Sequence, residues 1–403
     1  MPSSFTWLDY SEHERRKMLD AIRLFKDQGT VDELGIGAIR DTFSDLFFPG
    51  TGTVQTRARY FLLVPWMYLN LERNKVPSSI FAARARDNEV RLIDVLADSH
   101  HSLGTIGVLA RKGLKRLPSS IYWQGLGAWG IRRFQGSQDL YHRSIDGFYD
   151  SHQRIQFTDD KEPVGSRMPL NWHSLLPASP KEFPRNVSLK LTKLEGEYLR
   201  ERILASSRHT LLAFLVDRGE LAQNTGFPWE HHQFNNFPAP IRTQLEHARN
   251  FSELFHGAAL LYNLMLSQAK KVDNEIADYS SRLEQWAENI TARRDFLFKW
   301  DRARFWEIVA TGNQRVPHLT RAFVNSWIDL VLSLADLFRA ANSQPLRLLV
   351  QERERQLKKN LARLSNHRSL ELWNGEAGTR PIDYRWGNAQ IILRDILEAV
   401  ADA

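Results

Sequence analysis

Apolar residues in this chain recur mainly at the three- and four-residue spacings of an amphipathic helix. The clearest run has spacings of three, four, three and four, which make a narrow packing seam; its members are Ile276, Tyr279, Leu283, Trp286 and Ile290. No stretch shows the sustained alternation of apolar and polar residues that is typical of a half-buried strand. The pattern therefore predicts a mainly α protein.

Capping signals mark where several helices begin. Thr192 with Glu195 is a capping-box pair, in which each side chain can accept the backbone N–H of the other residue, and Ser11 with Glu14 repeats it. A Pro-Gly-Thr-Gly turn precedes another predicted helix, at 60–71. Further helices are predicted at 79–97, 105–116, 239–270, 316–340, 345–365 and 386–400.

One hexapeptide is echoed within the chain. Residues 76–81 read Val-Pro-Ser-Ser-Ile-Phe, and residues 117–122 read Leu-Pro-Ser-Ser-Ile-Tyr. A proline before paired serines and an apolar run is a signal for the start of a helix. The two copies predict either two similar helix starts or a duplicated helical hairpin.

Proline content indicates where the chain divides. Residues 154–187 contain five prolines, which rule out a continuous helix there. We therefore predict a Pro-rich connector at 154–187 between two domains. A basic helical N-terminal domain at 1–153, for which a winged-helix-like element is one option, precedes it, and a C-terminal helical bundle at 188–403 follows.

The positive charge of the chain is concentrated in one segment. Residues 51–135 hold thirteen Lys and Arg against five Asp and Glu, whereas the formal charge of the whole chain is +7. Residues 99–138 contain no Asp or Glu at all. Basic segments with interleaved aromatic residues are typical of surfaces that grip phosphates and stack on bases. The candidate nucleic-acid-binding residues are Arg57, Arg59, Arg111, Lys112, Lys115, Arg116, Trp123, Trp129, Arg132 and Arg133.

Arg57 and Arg59 are placed at a predicted helix start, where free backbone N–H groups would favour an anion. Arg84, Arg86 and Arg91 would extend the basic patch. Two other interpretations stay open, which are a docking surface for an acidic protein and an ordinary solvated surface. No homeodomain, zinc-finger or basic-zipper pattern is present, so nothing indicates sequence-specific readout.

A metal-dependent nuclease is an alternative function. Asp159 and Lys161, with Asp146 or Asp150, would suit such a site, in which carboxylates hold Mg²⁺ near the attacked phosphate. The ordinary interpretation of this short charged run is a solvated turn. We predict no metal-binding residues.

Two other motifs carry candidate chemistry. Adjacent His231 and His232 could act as acid, base or metal ligand, or could belong to an aromatic loop packed over the bundle. Residues 125–130 match the Gly-x-Gly-x-x-Gly spacing of a dinucleotide site but lack the strand before it, so glycines for close helix packing explain them as well. We predict no cofactor.

Composition excludes several other classes. The chain has no cysteine, which removes disulfides, thiolate zinc sites and Cys nucleophiles. The most apolar run, 60–71, is shorter than the ~20 residues that a membrane-spanning helix needs. The first residues lack a signal-peptide pattern. We expect a cytoplasmic protein without a membrane partner.

Several passages together resemble a known family. They are residues 5–9 (Phe-Thr-Trp-Leu-Asp), 37–41 (Gly-Ala-Ile-Arg-Asp), 48–51 (Phe-Pro-Gly-Thr), 56–61 (Thr-Arg-Ala-Arg-Tyr-Phe) and 383–386 (Asp-Tyr-Arg-Trp). In this order they resemble the bacterial family called domain of unknown function six-three-six-one, over most of the chain. The resemblance implies a cytoplasmic protein associated with gene clusters for defence against foreign DNA. It supplies no established catalytic residues.

The leading hypothesis is a non-enzymatic, nucleic-acid-associated subunit of a bacterial defence complex. It would bind nucleic acid, with DNA favoured, through the basic N-terminal surface, and other proteins of the complex through the C-terminal helices. A metal-dependent nuclease, or another enzyme acting on nucleic acid, is one alternative. A protein scaffold with a basic docking surface is the other.

Overall fold

Helices supply nearly all regular structure in the computed structural model, which describes residues 33–99, 101–153, 156–157, 163–164, 170–220 and 224–401. The prediction of a mainly α protein is confirmed. Two short strands, β1 (Gln156–Phe157) and β2 (Pro163–Val164), pair antiparallel. No helix in these ranges is both long enough and apolar enough to cross a membrane. The helix predicted after Ser11 lies outside the described residues.

The α-helices are numbered in chain order. They are α1 (Gly37–Phe47), α2 (Tyr60–Arg73), α3 (Ser78–Ala97), α4 (Pro118–Ala128), α5 (Gln138–Gln153), α6 (Lys193–Ser206), α7 (Leu211–Arg218), α8 (Ala239–Lys270), α9 (Asp273–Ala292), α10 (Arg294–Phe298), α11 (Arg302–Ala310), α12 (His318–Ser333), α13 (Gln344–Lys358), α14 (His367–Glu371) and α15 (Trp386–Ala401). Short 3₁₀ helices occur at Arg111–Gly113, Pro228–Glu230, Phe234–Asn236, Leu337–Asn342 and Lys359–Leu361.

Contacts divide the chain into two compact units. Among the described residues, the first unit combines 33–42 with Glu246–Ile382, and the second combines Phe43–Leu245 with 383–401. Neither unit has a boundary within the predicted connector at 154–187. The predicted domains, the connector and the winged-helix-like element stay predictions.

The second unit is built around α2, the helix predicted from the most apolar run. Every residue of α2 from Tyr60 to Tyr68 is buried, including Pro65 within the helix. A helix that is apolar all round can be stable in water only when other elements cover it. Here α3 and α4 pack against it. The unusually apolar run therefore forms a central core helix.

The echoed hexapeptides are both helix starts. Ser78 begins α3, and its backbone N–H and hydroxyl both donate to the Asp146 carboxylate on α5, the N–H at 2.9 Å. Ser119, in the first turn of α4, donates its N–H (2.8 Å) and its hydroxyl (2.6 Å) to the Glu89 carboxylate on α3. A carboxylate is favourable at a helix N-terminus because the first N–H groups have no partner within the helix. We call these contacts the Ser78–Asp146 clamp and the Ser119–Glu89 clamp.

The helix predicted at 105–116 is wrong. The chain there forms turns and the single 3₁₀ helix Arg111–Gly113. Gly104 and Gly107 adopt left-handed φ values of 92° and 85°, which interrupt a right-handed helix. The buried N–H of Ile106 donates to the Tyr60 hydroxyl at 3.0 Å instead of to a helical carbonyl. Long-range contacts with α2 therefore set the conformation of this segment.

The first unit confirms the apolar seam predicted from spacing at four of its five positions, and the fifth, Ile276, is half-buried. Tyr279, Leu283, Trp286 and Ile290 are buried along α9. The Trp286 ring lies against α8 at Gly257, where an added Cβ would come within 2.3 Å of it. The Trp286 Nε1 also donates to the Glu253 carbonyl at 2.8 Å. A glycine at this contact therefore lets the large ring approach the facing helix.

Candidate nucleic-acid interface

The structure separates the ten predicted binding residues by exposure. Lys112, Lys115, Arg116 and Arg133 are exposed, and Arg111 is half-buried. The other five are largely or fully covered by protein, namely Arg57, Arg59, Trp123, Trp129 and Arg132. Only the exposed residues can contact an external ligand in this conformation.

Arg57 is engaged by a carboxylate of the protein itself. Its guanidinium contacts Asp395 on α15 through Nε (3.0 Å to Oδ1) and Nη2 (2.8 Å to Oδ1). The same carboxylate accepts the backbone N–H of Ala58 at 2.8 Å. The anion expected before α2 is therefore present as an internal side chain. The remaining nitrogen, Nη1, donates to the Leu103 carbonyl at 2.9 Å.

Arg59 forms a buried ion pair. Its Nη2 lies 2.7 Å from Oε1 of Glu195, and its Nη1 donates to the Ser188 carbonyl at 2.9 Å. The guanidinium carbon also lies 5.9 Å from the centroid of the Trp66 ring. A buried charge whose partner is removed is strongly destabilising. Arg59 therefore stabilises the second unit, with Nη1 and Nη2 directed at protein acceptors.

The two candidate stacking residues are core side chains. Trp129 is fully buried and stacks on Phe61 with ring centroids 3.8 Å apart, and its Nε1 donates to the Pro49 carbonyl at 2.8 Å. Trp123 is buried with the Arg132 guanidinium 4.8 Å from its ring centroid. Burial lowers the pKa of Arg132. In this conformation neither indole offers an open face to a base, so the stacking role would require the core to open.

The exposed cations lie on a turn that is pinned to α3. We call Arg111, Lys112, Lys115 and Arg116 the basic turn. Arg111 adopts a left-handed φ of 44° and its guanidinium pairs with Asp94 of α3. From α3, the Arg86 Nη2 donates to the carbonyls of Lys112 (2.8 Å) and Leu114 (3.1 Å). The turn is thus held by its backbone, which leaves its other side chains in solvent.

Three members of the basic turn carry uncompensated charge. Lys112, Lys115 and Arg116 are exposed and form no ion pair with any residue in the described ranges. No Asp or Glu occurs between 99 and 138 to neutralise them locally. They are the residues best placed to meet an external anion.

We expected Arg84, Arg86 and Arg91 of α3 to extend this surface, but Arg84 and Arg91 lie on another side of the helix. At 100° per residue, Arg84 and Arg91 lie roughly 140–160° around α3 from Arg86, which faces the basic turn. Arg133 is exposed where the chain follows α4, and its backbone N–H donates to the Asn171 carbonyl at 2.8 Å. The candidate interface is therefore narrower than the charge count suggests.

The Ser119–Glu89 clamp fixes the far end of the basic turn. Glu89 is 1% exposed and holds the first turn of α4, three residues after Arg116. The Ser119 hydroxyl also accepts a hydrogen bond from Gln138 at 2.7 Å. Burial raises the pKa of Glu89 to about 7 although both hydrogen bonds from Ser119 oppose the shift. Glu89 was not identified from the sequence as a structural carboxylate. Its position among the apolar residues of an amphipathic helix is the signal that could have found it.

The two adjacent histidines differ in burial, and His232 is exposed with its Nε2 3.4 Å from the Glu220 carboxylate. His231 is buried, and its Nδ1 accepts the backbone N–H of Gln233 at 3.2 Å. Burial lowers the pKa of His231 to about 4, so the ring is neutral at pH 7. It lines a small pocket of about 40 Å³ with Trp386 and Arg394 among its neighbours. In the part of the chain that the structure describes, no group of three or more His, Asp or Glu could hold a metal ion.

The residues of the nuclease alternative are not assembled in the described ranges. Asp159 and Lys161 lie outside these ranges. Asp146 binds Ser78 in its clamp, and Asp150 is exposed on α5. The nuclease therefore stays an alternative that the described residues do not test.

The glycines at 125–130 serve close packing. Gly125 and Gly127 lie inside α4, so no strand precedes a phosphate-binding turn. A Cβ added at Gly125 would come within 2.2 Å of the Gly50 carbonyl oxygen. The dinucleotide interpretation fails because α4 occupies the position where the turn would be.

Two of the passages that carry the family resemblance, 48–51 and 383–386, contact each other in the second unit. Arg385 donates from Nη1 to Asp45 (2.6 Å) and to the Thr51 carbonyl (3.1 Å). The Trp386 ring packs on Phe48 with centroids 5.5 Å apart. These residues, far apart in sequence, form one cluster in which Phe48 and Trp386 are buried and Asp45 is exposed.

A family model matches residues 2–402, and its description is a family of unknown function, DUF6361. The chain belongs to DUF6361. No curated protein and no solved structure matches this DUF6361 chain. The resemblance noted from the sequence is confirmed, and the family description assigns no activity. Function must therefore be inferred from the residues themselves.

Proposed function

We propose that this DUF6361 protein binds the phosphates of nucleic acid, with DNA favoured, through Lys112, Lys115 and Arg116, without catalysing a reaction on it. The observation that carries the proposal is the exposure of these three cations on a turn whose backbone is fixed to α3. The absence of acidic residues from 99–138 adds to it. A fixed turn presents its charges without a large ordering cost on binding.

Three cations support a weak interaction without sequence preference. Each phosphate contact on duplex DNA changes the logarithm of the binding constant by about −0.9 per tenfold rise in salt. Three contacts therefore give a slope of about −2.7, and affinity falls about 40-fold between 50 and 200 mM salt. Such binding suits a subunit whose neighbours add further contacts. The setting we propose, a bacterial defence complex whose other proteins dock on the C-terminal helices, rests on the family resemblance.

A titration with a charge-matched control tests the proposal. Duplex DNA, single-stranded DNA and RNA are titrated at 50 and 200 mM salt with the wild type and with the triple variant Lys112→Ala, Lys115→Ala and Arg116→Ala. The control is the triple variant Arg73→Ala, Arg84→Ala and Arg91→Ala, which removes the same charge from other exposed positions. We expect the first variant to lose most of the salt slope and the control to keep it.

Three outcomes would contradict the proposal. Wild-type protein that binds none of the three ligands at 50 mM salt would refute it. Equal losses in both triple variants would show an effect of net charge and no interface at the basic turn. Cleavage of the nucleic acid that requires Mg²⁺ would instead favour the nuclease alternative.

A further inference from the structure

The segment before the basic turn exposes large aliphatic side chains. In the loop at 101–110, which we call the aliphatic loop, Leu109 is 100% exposed and Leu103 is 86% exposed, and Val108 is also exposed. Isolated exposed leucines are common on protein surfaces. Here, however, a fully exposed leucine lies close in sequence to the exposed cations of the basic turn.

The aliphatic loop is held in place by its backbone. The Thr56 hydroxyl donates to the Gly104 carbonyl at 2.6 Å, and Arg57 donates to the Leu103 carbonyl at 2.9 Å. Further along, the N–H of Arg111 donates to the Gly107 carbonyl at 2.8 Å, so residues 107–111 form a closed turn. Because the backbone is fixed at both ends, Leu109 is presented outward by a fixed support.

Leu109 lies close to the phosphate-binding charges. It lies three positions before Lys112, so their Cα atoms are at most about 11 Å apart. Stacked bases on one strand follow each other every ~3.4 Å along the helix axis. A phosphate bound at Lys112 and the base steps beside it would therefore lie on the scale of the distance from Lys112 to Leu109. Trp123 and Trp129 are buried and cannot contact a base in this conformation, whereas the aliphatic Leu109 is exposed.

We propose that Leu109 is an apolar wedge that enters between bases of the nucleic acid held by the basic turn, so that the preferred ligand is a duplex with an easily unstacked step. The inference rests on the proposed function and deepens it. Aliphatic side chains of DNA-binding proteins unstack base steps in this way, and the insertion removes apolar surface from water. Unstacking costs least at a mismatched or bulged position.

Charge complementarity favours this occupant over a second copy of the chain. A second copy that docked through the same face would bring the same uncompensated cations, Lys112, Lys115 and Arg116, to the contact. A nucleic acid supplies both the negative charge that these cations require and an apolar base stack beside it. Anionic lipid surfaces and acidic peptides also combine charge with apolar surface, and the experiment includes them.

The test compares duplexes that differ at one step. Fluorescent duplexes, fully paired or with one mismatch beside a 2-aminopurine, are titrated with the wild type, with Leu109→Ala and with the control Leu175→Ala, which truncates an exposed leucine outside the loop. We expect the wild type and the control to prefer the mismatched duplex about tenfold and to raise 2-aminopurine fluorescence. Leu109→Ala should lose both effects and keep the salt slope, since it leaves every cation in place.

The outcomes separate the wedge from the phosphate contacts. Salt-sensitive binding without a mismatch preference, or a preference that survives in Leu109→Ala, would overturn the wedge and leave the basic turn standing. No binding by the wild type would overturn both. Binding to phosphatidylserine vesicles or to a poly-glutamate peptide that depends on Leu109, without mismatch preference, would overturn the wedge in favour of that partner. Because Leu109 is fully exposed, its replacement should leave thermal unfolding unchanged.

Discussion

We predict that Glu89 makes the stability of the second unit depend on pH near neutrality. Its carboxylate is 1% exposed and accepts the N–H and the hydroxyl of Ser119. No ion pair is formed by Glu89 within the described residues, so burial dominates and raises the pKa of its carboxyl to about 7. Asp146 holds Ser78 by the same two contacts but is exposed, and those hydrogen bonds lower its pKa. The same contact geometry thus gives opposite pKa shifts in a buried and an exposed setting.

The sign and the size of the effect follow from the Glu89 shift. In the unfolded chain the pKa is 4.5, so folding takes up a proton between that value and about 7. The stabilising contribution of the protonated carboxyl is complete below pH 4.5 and is lost as the pH rises through about 7. At 1.36 kcal/mol per pKa unit, the free energy of unfolding should fall by about 3 kcal/mol across this range.

Urea unfolding followed by Trp fluorescence at several pH values from 5 to 8 measures this effect. Glu89→Gln removes the titration and keeps an acceptor for the Ser119 N–H, so its stability relative to wild type should rise by about 2.5 kcal/mol from pH 5 to 8. Asp146→Asn is the matched control, since the Asp146 pKa is lowered from 3.8 and does not titrate in this range. A Glu89→Gln difference that is constant from pH 5 to 8 would refute the reasoning.

Two further predictions concern packing and charge in the second unit. Arg59→Ala leaves Glu195 buried without its cation, so the free energy of unfolding in urea should fall by about 3–5 kcal/mol. Arg84→Ala, at an exposed arginine, is the control, and a smaller change for Arg59→Ala than for this control would contradict the buried pair. Gly125→Ala places a Cβ against the Gly50 carbonyl and should cost about 1–3 kcal/mol in the same assay. Gly147→Ala on α5 meets no atom within 4 Å and should stabilise by up to about 1 kcal/mol, so equal effects of the two glycine changes would contradict the close contact.

Local sequence signals predicted the helices well. The Thr192–Glu195 capping box is present with both hydrogen bonds, and the long helix expected at 239–270 is α8, Ala239–Lys270. Where prediction failed, the deciding contact was distant in sequence. The loop at 105–110 is shaped by the Tyr60 hydroxyl, which apolar spacing does not report.

The candidate site was harder to predict because charge pairing is a property of the fold. The partner of Arg57 is Asp395, 338 residues away, and the partner of Arg59 is Glu195, 136 residues away. A count of local Lys and Arg cannot show which charges are neutralised by such distant carboxylates. Lys112 is exposed and Arg59 is buried, and this difference is likewise set by how the chain packs.

Several arginines of the basic segment bind protein acceptors for a physical reason. A guanidinium presents several donors in a rigid planar fork, so it can satisfy a carboxylate and a carbonyl at once. Arg57 does so with Asp395 and the Leu103 carbonyl, and Arg86 holds two carbonyls of the basic turn. Lys112 and Lys115, whose ammonium groups are strongly hydrated, remain in solvent. Arg57 and Arg86 therefore build the support from which Lys112, Lys115, Arg116 and Leu109 are presented, so the same segment supplies both the scaffold and the contact surface that we propose.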